Sequence, residues 1–154
     1  EKYHKLEGWL LGEVGVQNLS AITQKELNIW INHGLVNYLG KRDDVSYILS
    51  MADCIVLPSY REGLPRSLLE AAAMEKPIVT TNVPGCKDVV DHGINGYLCE
   101  VKNIDDLYMK MEQMFLLSQQ KRETMGKNGR KKIIHMFDEK IVIEKYIQKV
   151  CEIL

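Results

Sequence analysis

The sequence predicts an α/β protein in which helices cover the faces of a parallel β-sheet. Up to about residue 101, short apolar runs alternate with amphipathic stretches, which is the pattern of repeated strand–helix units. The composition, with 45% apolar and 27% charged residues, is that of an ordinary globular protein. A chain of 154 residues is long enough for one domain with a sizeable core.

Five apolar runs are the candidate strands, at residues 9–12, 36–39, 54–57, 77–80 and 97–101. The run 54–57 shows no polar alternation, so we expect a fully buried strand that ends at Pro58, with Cys54 in the core. Between the first two strands, Thr23 and Glu26 have the spacing of a capping box. A helix should follow them to about residue 33, and Gly34 should stop it.

Further helices are expected at residues 45–51, 66–74 and 87–90, and from residue 105 onward the pattern is helical throughout. One stripe of the tail has helical spacing and should face the core: Leu107, Met111, Met114 and Phe115. Two more helices should cover 119–136 and 139–153, with Gly126 and Gly129 weakening the first of them locally. The basic run 130–132 is either a solvated face or a surface for an anionic membrane.

Bulk properties exclude several classes of function. A net charge of -1 lacks the excess of positive charge that is typical of non-specific nucleic-acid binding. No apolar run reaches the roughly 18–20 residues that span a bilayer, and the N-terminus lacks a signal-peptide pattern, so we expect a cytoplasmic protein. The four cysteines are scattered, with no C-x-x-C pair, and should be reduced thiols that bind no metal.

The segment 60–70 (YREGLPRSLLE) carries the strongest functional signal. It places Glu62 in a loop and Glu70, eight positions later, inside the helix that follows. Pro65 suits the first helical turn, because its missing N–H would be unpaired there. The first free amides of that helix would then point back over the loop and attract phosphate oxygens.

This arrangement suits a nucleotide sugar, which has a diphosphate between two polyols. A carboxylate accepts hydrogen bonds through two oxygens, so each Glu could grip vicinal hydroxyls. The alternative is a surface ion pair between Glu70 and Arg66 at (i, i+4). Hydrolysis by two carboxylates is disfavoured because no partner nucleophile is visible. The polar turn 41–44 could line a base pocket or be a solvated loop, and Gly85 lies where a ligand could approach the backbone.

These residues occur in ordered blocks that resemble a known family. The blocks are 37–40 (NYLG), 42–44 (RDD), 56–59 (VLPS), 62–65 (EGLP), 69–71 (LEA), 77–79 (PIV), 84–85 (PG) and 93–96 (GING). Together they are similar to the donor-binding half of the retaining GT-B glycosyltransferases of group 1, which carry the E-x7-E motif in a Rossmann-like C-terminal domain. The resemblance covers about residues 9 to 150. It therefore implies a Rossmann-like sheet, flanking helices and a helical C-terminal tail.

The resemblance also implies roles for individual residues. Glu70 would hold the nucleotide ribose, and Glu62, the catalytic candidate, would contact donor-sugar hydroxyls. The amides of Gly63 and Leu64 would face the sugar and diphosphate, while Lys41 and Arg42 would lie near the base. The segment 59–67 is similar to bacterial capsular and O-antigen enzymes, which commonly use UDP-sugars such as UDP-galactose or UDP-N-acetylhexosamines, with lipid-linked acceptors. No metal and no other cofactor is expected.

Two parts of the family pattern, the acceptor domain and the opening strand with its basic residues, are absent from the sequence. The resemblance therefore implies that residues 1–154 are an N-terminally truncated donor-binding domain, which alone would bind weakly and transfer no sugar. The full-length enzyme could touch a membrane peripherally. The alternatives are a non-catalytic nucleotide- or sugar-binding module and a GT-B-type sugar-nucleotide epimerase. The EGLP block disfavours the epimerase.

Overall fold

A computed structural model describes residues 6–15 and 21–152 of the chain. The chain divides into two compact units, Glu1–Val45 and Ser46–Leu154. Among the described residues the strands form two hydrogen-bonded sheets, one of two strands and one of three, and every pairing between strands is parallel. The α/β class expected from the sequence is confirmed.

The first unit contains one strand–helix–strand repeat. It consists of β1 (Trp9–Leu11), α1 (Gln24–Asn32) and β2 (Asn37–Gly40), with β1 paired to β2. The predicted capping box is present: the Glu26 amide donates to the Thr23 hydroxyl at 3.2 Å, and the Thr23 amide donates to the Glu26 carboxylate at 2.9 Å. The hydroxyl of Thr23 also donates to that carboxylate, and this bond, followed by the one from the Thr23 amide, lowers the pKa of Glu26. The helix ends at His33 and Gly34, as predicted.

The second unit carries the remaining strands and most of the helices. Its elements, which start at the unit boundary, are α2 (Val45–Met51), β3 (Ile55–Leu57), α3 (Arg66–Ala73), β4 (Ile78–Thr81), α4 (Cys86–Val89), β5 (Gly96–Cys99), α5 (Ile104–Leu116), α6 (Gln119–Met136) and α7 (Glu139–Cys151). The strand order is β3-β4-β5. Three consecutive helices, α5 to α7, form the expected helical tail.

The core of the second unit lies on both faces of β4, whose four residues are all buried. Because neighbouring residues of a strand point to opposite faces, Ile78 packs in the cluster formed with α3 and α4. Val79 packs instead against Met114 of α5 and Met125 of α6. Helices therefore cover both faces of this sheet, which is the usual condition of parallel strands.

One burial prediction is wrong. The strand at 54–57 is not fully buried, since Val56 is 37% exposed and Ile55 is only partly covered. Among the described residues β3 pairs with β4 alone, so it is the edge strand of its sheet. Cys54 immediately precedes the strand and packs beside Val79, where burial raises the pKa of its thiol to about 12.

The helical tail also differs from expectation in detail. Only half of the apolar stripe is covered. Met114 is buried and Leu107 packs beside it, whereas Met111 and Phe115 are exposed. The glycines of α6 do not interrupt that helix.

The glycines of α6 instead allow it to pack closely on the end of α3. A Cβ at Gly126 would overlap the backbone carbonyl of Glu75, and Gly129 lies over Ala72. Beside them, the Arg130 guanidinium donates to the Ala73 carbonyl. Lys132 also pairs with Asp91 at 2.8 Å, so two of the three basic side chains at 130–132 have protein partners.

Candidate functional site

The segment between β3 and α3 forms a loop that leads directly into a helix start. Pro65 lies one residue earlier than expected, at the N-cap, because its ψ of 113° is extended rather than helical. Its carbonyl accepts hydrogen bonds from the Leu68 and Leu69 amides, at 3.0 and 3.2 Å. The amides of Arg66 and Ser67 donate to no acceptor in the described part of the chain. The helix start thus offers two free N–H groups together with the positive end of the helix dipole.

Glu62 is a half-buried carboxylate with a fixed partner. The Ser59 hydroxyl donates to Glu62 Oε1 at 2.6 Å. The backbone at the end of β3 is fixed in turn by two buried threonines of β4. The hydroxyl of Thr80 donates to the Leu57 carbonyl at 2.7 Å, and that of Thr81 donates to the Ser59 carbonyl.

Gly85, in the loop after β4, lies directly against the loop that carries Glu62, residues 58–65, which we call the acidic loop. Its φ of +81° is in the left-handed region, and an added Cβ would overlap the Gly63 carbonyl. The Gly85 amide donates to the Asp88 carboxylate at 3.0 Å. The close approach that the sequence suggested for a ligand is therefore made by the protein's own backbone at Glu62 and Gly63. The absence of a side chain at Gly85 thus allows the Gly63 carbonyl to pack against it.

Glu70 has a weak protein partner. Its Oε1 lies 4.0 Å from Arg66 Nη2, and the two side chains are 46% and 90% exposed. The surface pair that competes with the functional interpretation is therefore present, but it is long and solvated. Such pairs contribute at most a few tenths of a kcal/mol, so Glu70 remains able to accept hydrogen bonds from a ligand.

Lys41 and Arg42 belong to the first unit, whereas Glu62, Gly63, Leu64 and Glu70 belong to the second. Lys41 Nζ lies 3.4 Å from Glu13 Oε2. The Arg42 guanidinium makes two bonds of 2.8 Å to Asp44, which raise the pKa of Arg42 and lower that of Asp44.

Sequence reasoning missed the residues that support the acidic loop. Ser59, Thr80 and Thr81 carry hydroxyls whose acceptors are set by tertiary contacts between β3 and β4. The one available signal was the pair of threonines that ends an otherwise aliphatic strand. In the described residues, no group of three or more His, Cys, Asp or Glu side chains could hold a metal ion. No helix within that part of the chain has the length and apolar character needed to cross a membrane.

Parallel strands covered by helices are the architecture of a Rossmann-like α/β domain. The candidate site lies where ligands bind in such domains, at the carboxyl end of a strand, and consists of a helix start with free amides and two nearby carboxylates. A family model described as glycosyl transferases group 1 matches residues 10–132, and the chain belongs to this family. The family expected from the sequence motifs is thus confirmed.

Two curated relatives illustrate the match. The first is the N,N'-diacetylbacillosaminyl-diphospho-undecaprenol α-1,3-N-acetylgalactosaminyltransferase of Campylobacter jejuni, which is 35% identical over 119 residues, covering 77% of this chain and 31% of that protein. The second is a capsular polysaccharide biosynthesis glycosyltransferase of Staphylococcus aureus, 28% identical over 94% of this chain and 47% of its own length. The chain spans less than half the length of either relative.

A solved structure shows the same architecture. The Anabaena HepE protein, crystallised in complex with UDP, matches with a TM-score of 0.81 and 25% identity. The match covers 97% of this chain and 41% of that one. This likeness agrees with the predicted C-terminal half of a GT-B fold.

Proposed function

We propose that this chain is the nucleotide-sugar-binding domain of a retaining glycosyltransferase and that its donor is a UDP-sugar. One observation carries the proposal: the free amides at the start of α3 lie between two carboxylates, Glu62 in the loop and Glu70 in the helix. Dipolar amides suit a diphosphate, and carboxylates suit the hydroxyls on either side of it. Membership of the group 1 family and the UDP complex of the Anabaena protein support the same conclusion.

The proposed roles follow the polarity of a UDP-sugar. Glu70 accepts hydrogen bonds from the ribose hydroxyls, and the amides of Gly63 and Leu64 face the sugar and the diphosphate. Glu62 is the proposed catalytic residue, because it contacts hydroxyls of the sugar whose anomeric carbon reacts. The assignment of Lys41 and Arg42 to the base stays a prediction of the sequence resemblance.

The proposed mechanism is electrostatic. As the bond from the sugar to the diphosphate breaks, negative charge develops on the departing phosphate oxygens. N–H groups and the dipole at the start of α3 are already oriented toward that charge, so little reorganisation is needed when it appears. We propose that this stabilisation needs no metal ion and no other cofactor.

We propose that the acceptor is a polysaccharide precursor or a lipid-linked sugar. The name of the Campylobacter relative specifies an undecaprenol-linked acceptor, and that of the Staphylococcus relative specifies capsular polysaccharide biosynthesis. We assign acceptor binding to the part of those proteins that this chain does not span. The proposed setting is cytoplasmic, with peripheral membrane contact by the full-length enzyme.

A ligand-observed NMR titration of the chain with UDP, GDP, ADP and UDP-galactose tests the donor. We expect UDP and UDP-galactose to bind more tightly than GDP and ADP, with affinities that do not change when EDTA is added. Absence of binding at millimolar concentration, or equal binding of all three nucleotides, would contradict the UDP-sugar proposal. Loss of binding in EDTA would contradict the metal-free mechanism.

A further inference from the structure

The acidic loop is anchored to the core of the second unit through hydroxyl groups. Thr80 and Thr81 are both buried, and a buried hydroxyl without a partner costs free energy, so each must find an acceptor. Thr81 finds one beyond the end of β3, at the Ser59 carbonyl, whereas Thr80 finds one within β3, at the Leu57 carbonyl. The position of Ser59 is therefore determined by the most deeply buried strand of the sheet.

Ser59 passes this constraint on to Glu62. Its hydroxyl donates to Glu62 Oε1 at 2.6 Å, in the range of a short, charge-assisted hydrogen bond. Gly85 holds the same loop from another side, because the Gly63 carbonyl occupies the space where any side chain at position 85 would lie. The half-buried Glu62 carboxylate is thus oriented in the absence of any ligand.

We propose that Ser59 is a positioning residue that orients Glu62 and reserves one of its oxygens, Oε2, for a hydroxyl of the donor sugar. The inference rests on the proposed function, since it assigns a support to the carboxylate that the function requires. A carboxylate with both oxygens free could accept hydrogen bonds from two vicinal hydroxyls, one at each oxygen. With Oε1 already accepting from Ser59, Oε2 becomes the principal acceptor, so recognition concentrates on one hydroxyl.

The alternative is that the bond from Ser59 to Glu62 merely closes the loop. The two roles differ in which part of the ligand they affect. A positioning role affects the sugar alone, because the ribose is assigned to Glu70 on α3. A loop-closing role affects the whole binding surface, including the amides that face the diphosphate.

The test compares the dissociation constants of UDP and UDP-galactose for the wild-type chain, Ser59→Ala and Ser59→Thr. We expect Ser59→Ala to weaken UDP-galactose about tenfold, the scale of one lost hydrogen bond to a charged group, while UDP changes less than about twofold. The threonine variant keeps a hydroxyl and should restore the wild-type ratio. Equal loss for both ligands, or no change for either, would overturn the positioning role.

The threonines of β4 offer a matched pair of controls. Thr81→Val removes the hydroxyl that holds Ser59, so it should reproduce the selective loss of UDP-galactose affinity. Thr80→Val removes an equally buried hydroxyl that bonds to Leu57 instead, and should leave the ratio unchanged. A selective loss in Thr80→Val but not in Thr81→Val would refute the connection through Ser59.

The same measurements separate this inference from the function on which it rests. If the wild-type chain binds neither UDP nor UDP-galactose, the proposed function fails, and the role of Ser59 fails with it. If UDP binds but Ser59→Ala leaves the ratio of the two dissociation constants unchanged, only the positioning role is wrong.

Discussion

Glu62 and Glu70 are supported in opposite ways. Glu62 is half-buried and accepts a short hydrogen bond from Ser59, whereas Glu70 is exposed and, within the described part of the chain, its carboxylate meets only Arg66, at 4.0 Å. The first carboxylate is thus prepositioned, while the second keeps its hydration and its rotamer freedom. A solvated ion pair at that distance contributes little to stability. The contact with Arg66 therefore does not explain why position 70 carries a carboxylate.

The contact between Gly85 and Gly63 gives a residue-level prediction. Replacing Gly85 with Ala adds the strain of a positive φ, about 1–2 kcal/mol, to an overlap with backbone, so we expect a loss of about 2–4 kcal/mol in the free energy of unfolding. Gly93→Ala is the matched control, because its φ is +78° but nothing lies within 4 Å of the added Cβ. That variant should lose only about 1–2 kcal/mol. Urea denaturation measures the free energy of unfolding of both variants. Equal losses would contradict the close packing of Gly63 on Gly85.

The two carboxylates and the residues that support them differ in how far sequence alone could identify them. The spacing of Glu62 and Glu70 around a helix start is local, so the sequence predicts that they flank one helix start. The packing of Gly63 on Gly85 joins residues that are distant in the sequence, and no local pattern contains it. The same holds for the bond from Thr81 to Ser59, which depends on the register between β3 and β4.

At the level of elements, type and order were predictable and burial was not. The capping box at Thr23 fixed the start of α1, and apolar runs located every strand to within one or two residues. The run 54–57 shows why burial failed. Apolar residues indicate that a strand can be buried, but the number of neighbouring strands decides how fully it is buried. In the residues that the structure describes, β3 has one neighbour in its sheet.

Gly126 and Gly129 of α6 show how tertiary packing changes the effect that the sequence predicts for a glycine in a helix. In an isolated helix each would cost up to about 1 kcal/mol relative to Ala. In the folded chain both are buried against α3, so at Gly126 the absence of a side chain is what permits the contact.

This packing predicts opposite effects at the two glycines. Gly126→Ala should destabilise the protein by about 1–3 kcal/mol, because its Cβ would overlap the Glu75 carbonyl and force the helices apart. Gly129→Ala should instead stabilise it by about 0.5–1 kcal/mol, since its Cβ would meet the Ala72 side chain at an ordinary 3.5 Å. Thermal unfolding of the two variants checks the signs. A gain in melting temperature for Gly126→Ala would contradict the close contact between α6 and α3.

At the scale of the molecule, the group 1 family membership is established over residues 10–132, but the chain covers only 31% and 47% of the two curated relatives. The loop and helix that we assign to the donor lie within the matched range. Donor recognition is therefore the part of the proposed function that can be tested on this chain directly.

The most direct test of the central claim is the UDP affinity of the wild-type chain, Glu70→Ala and Glu123→Ala, measured by NMR titration. Glu123 is a matched control, because it is also an exposed helical glutamate with an (i, i+4) partner, Gln119, whose side-chain amide donates to it at 2.9 Å. We expect Glu70→Ala to weaken UDP binding at least tenfold, the loss of charge-assisted bonds to the ribose, and Glu123→Ala to leave it unchanged. Equal UDP affinities for the wild-type chain and Glu70→Ala would contradict the assignment of residues 60–70 as the nucleotide-sugar site.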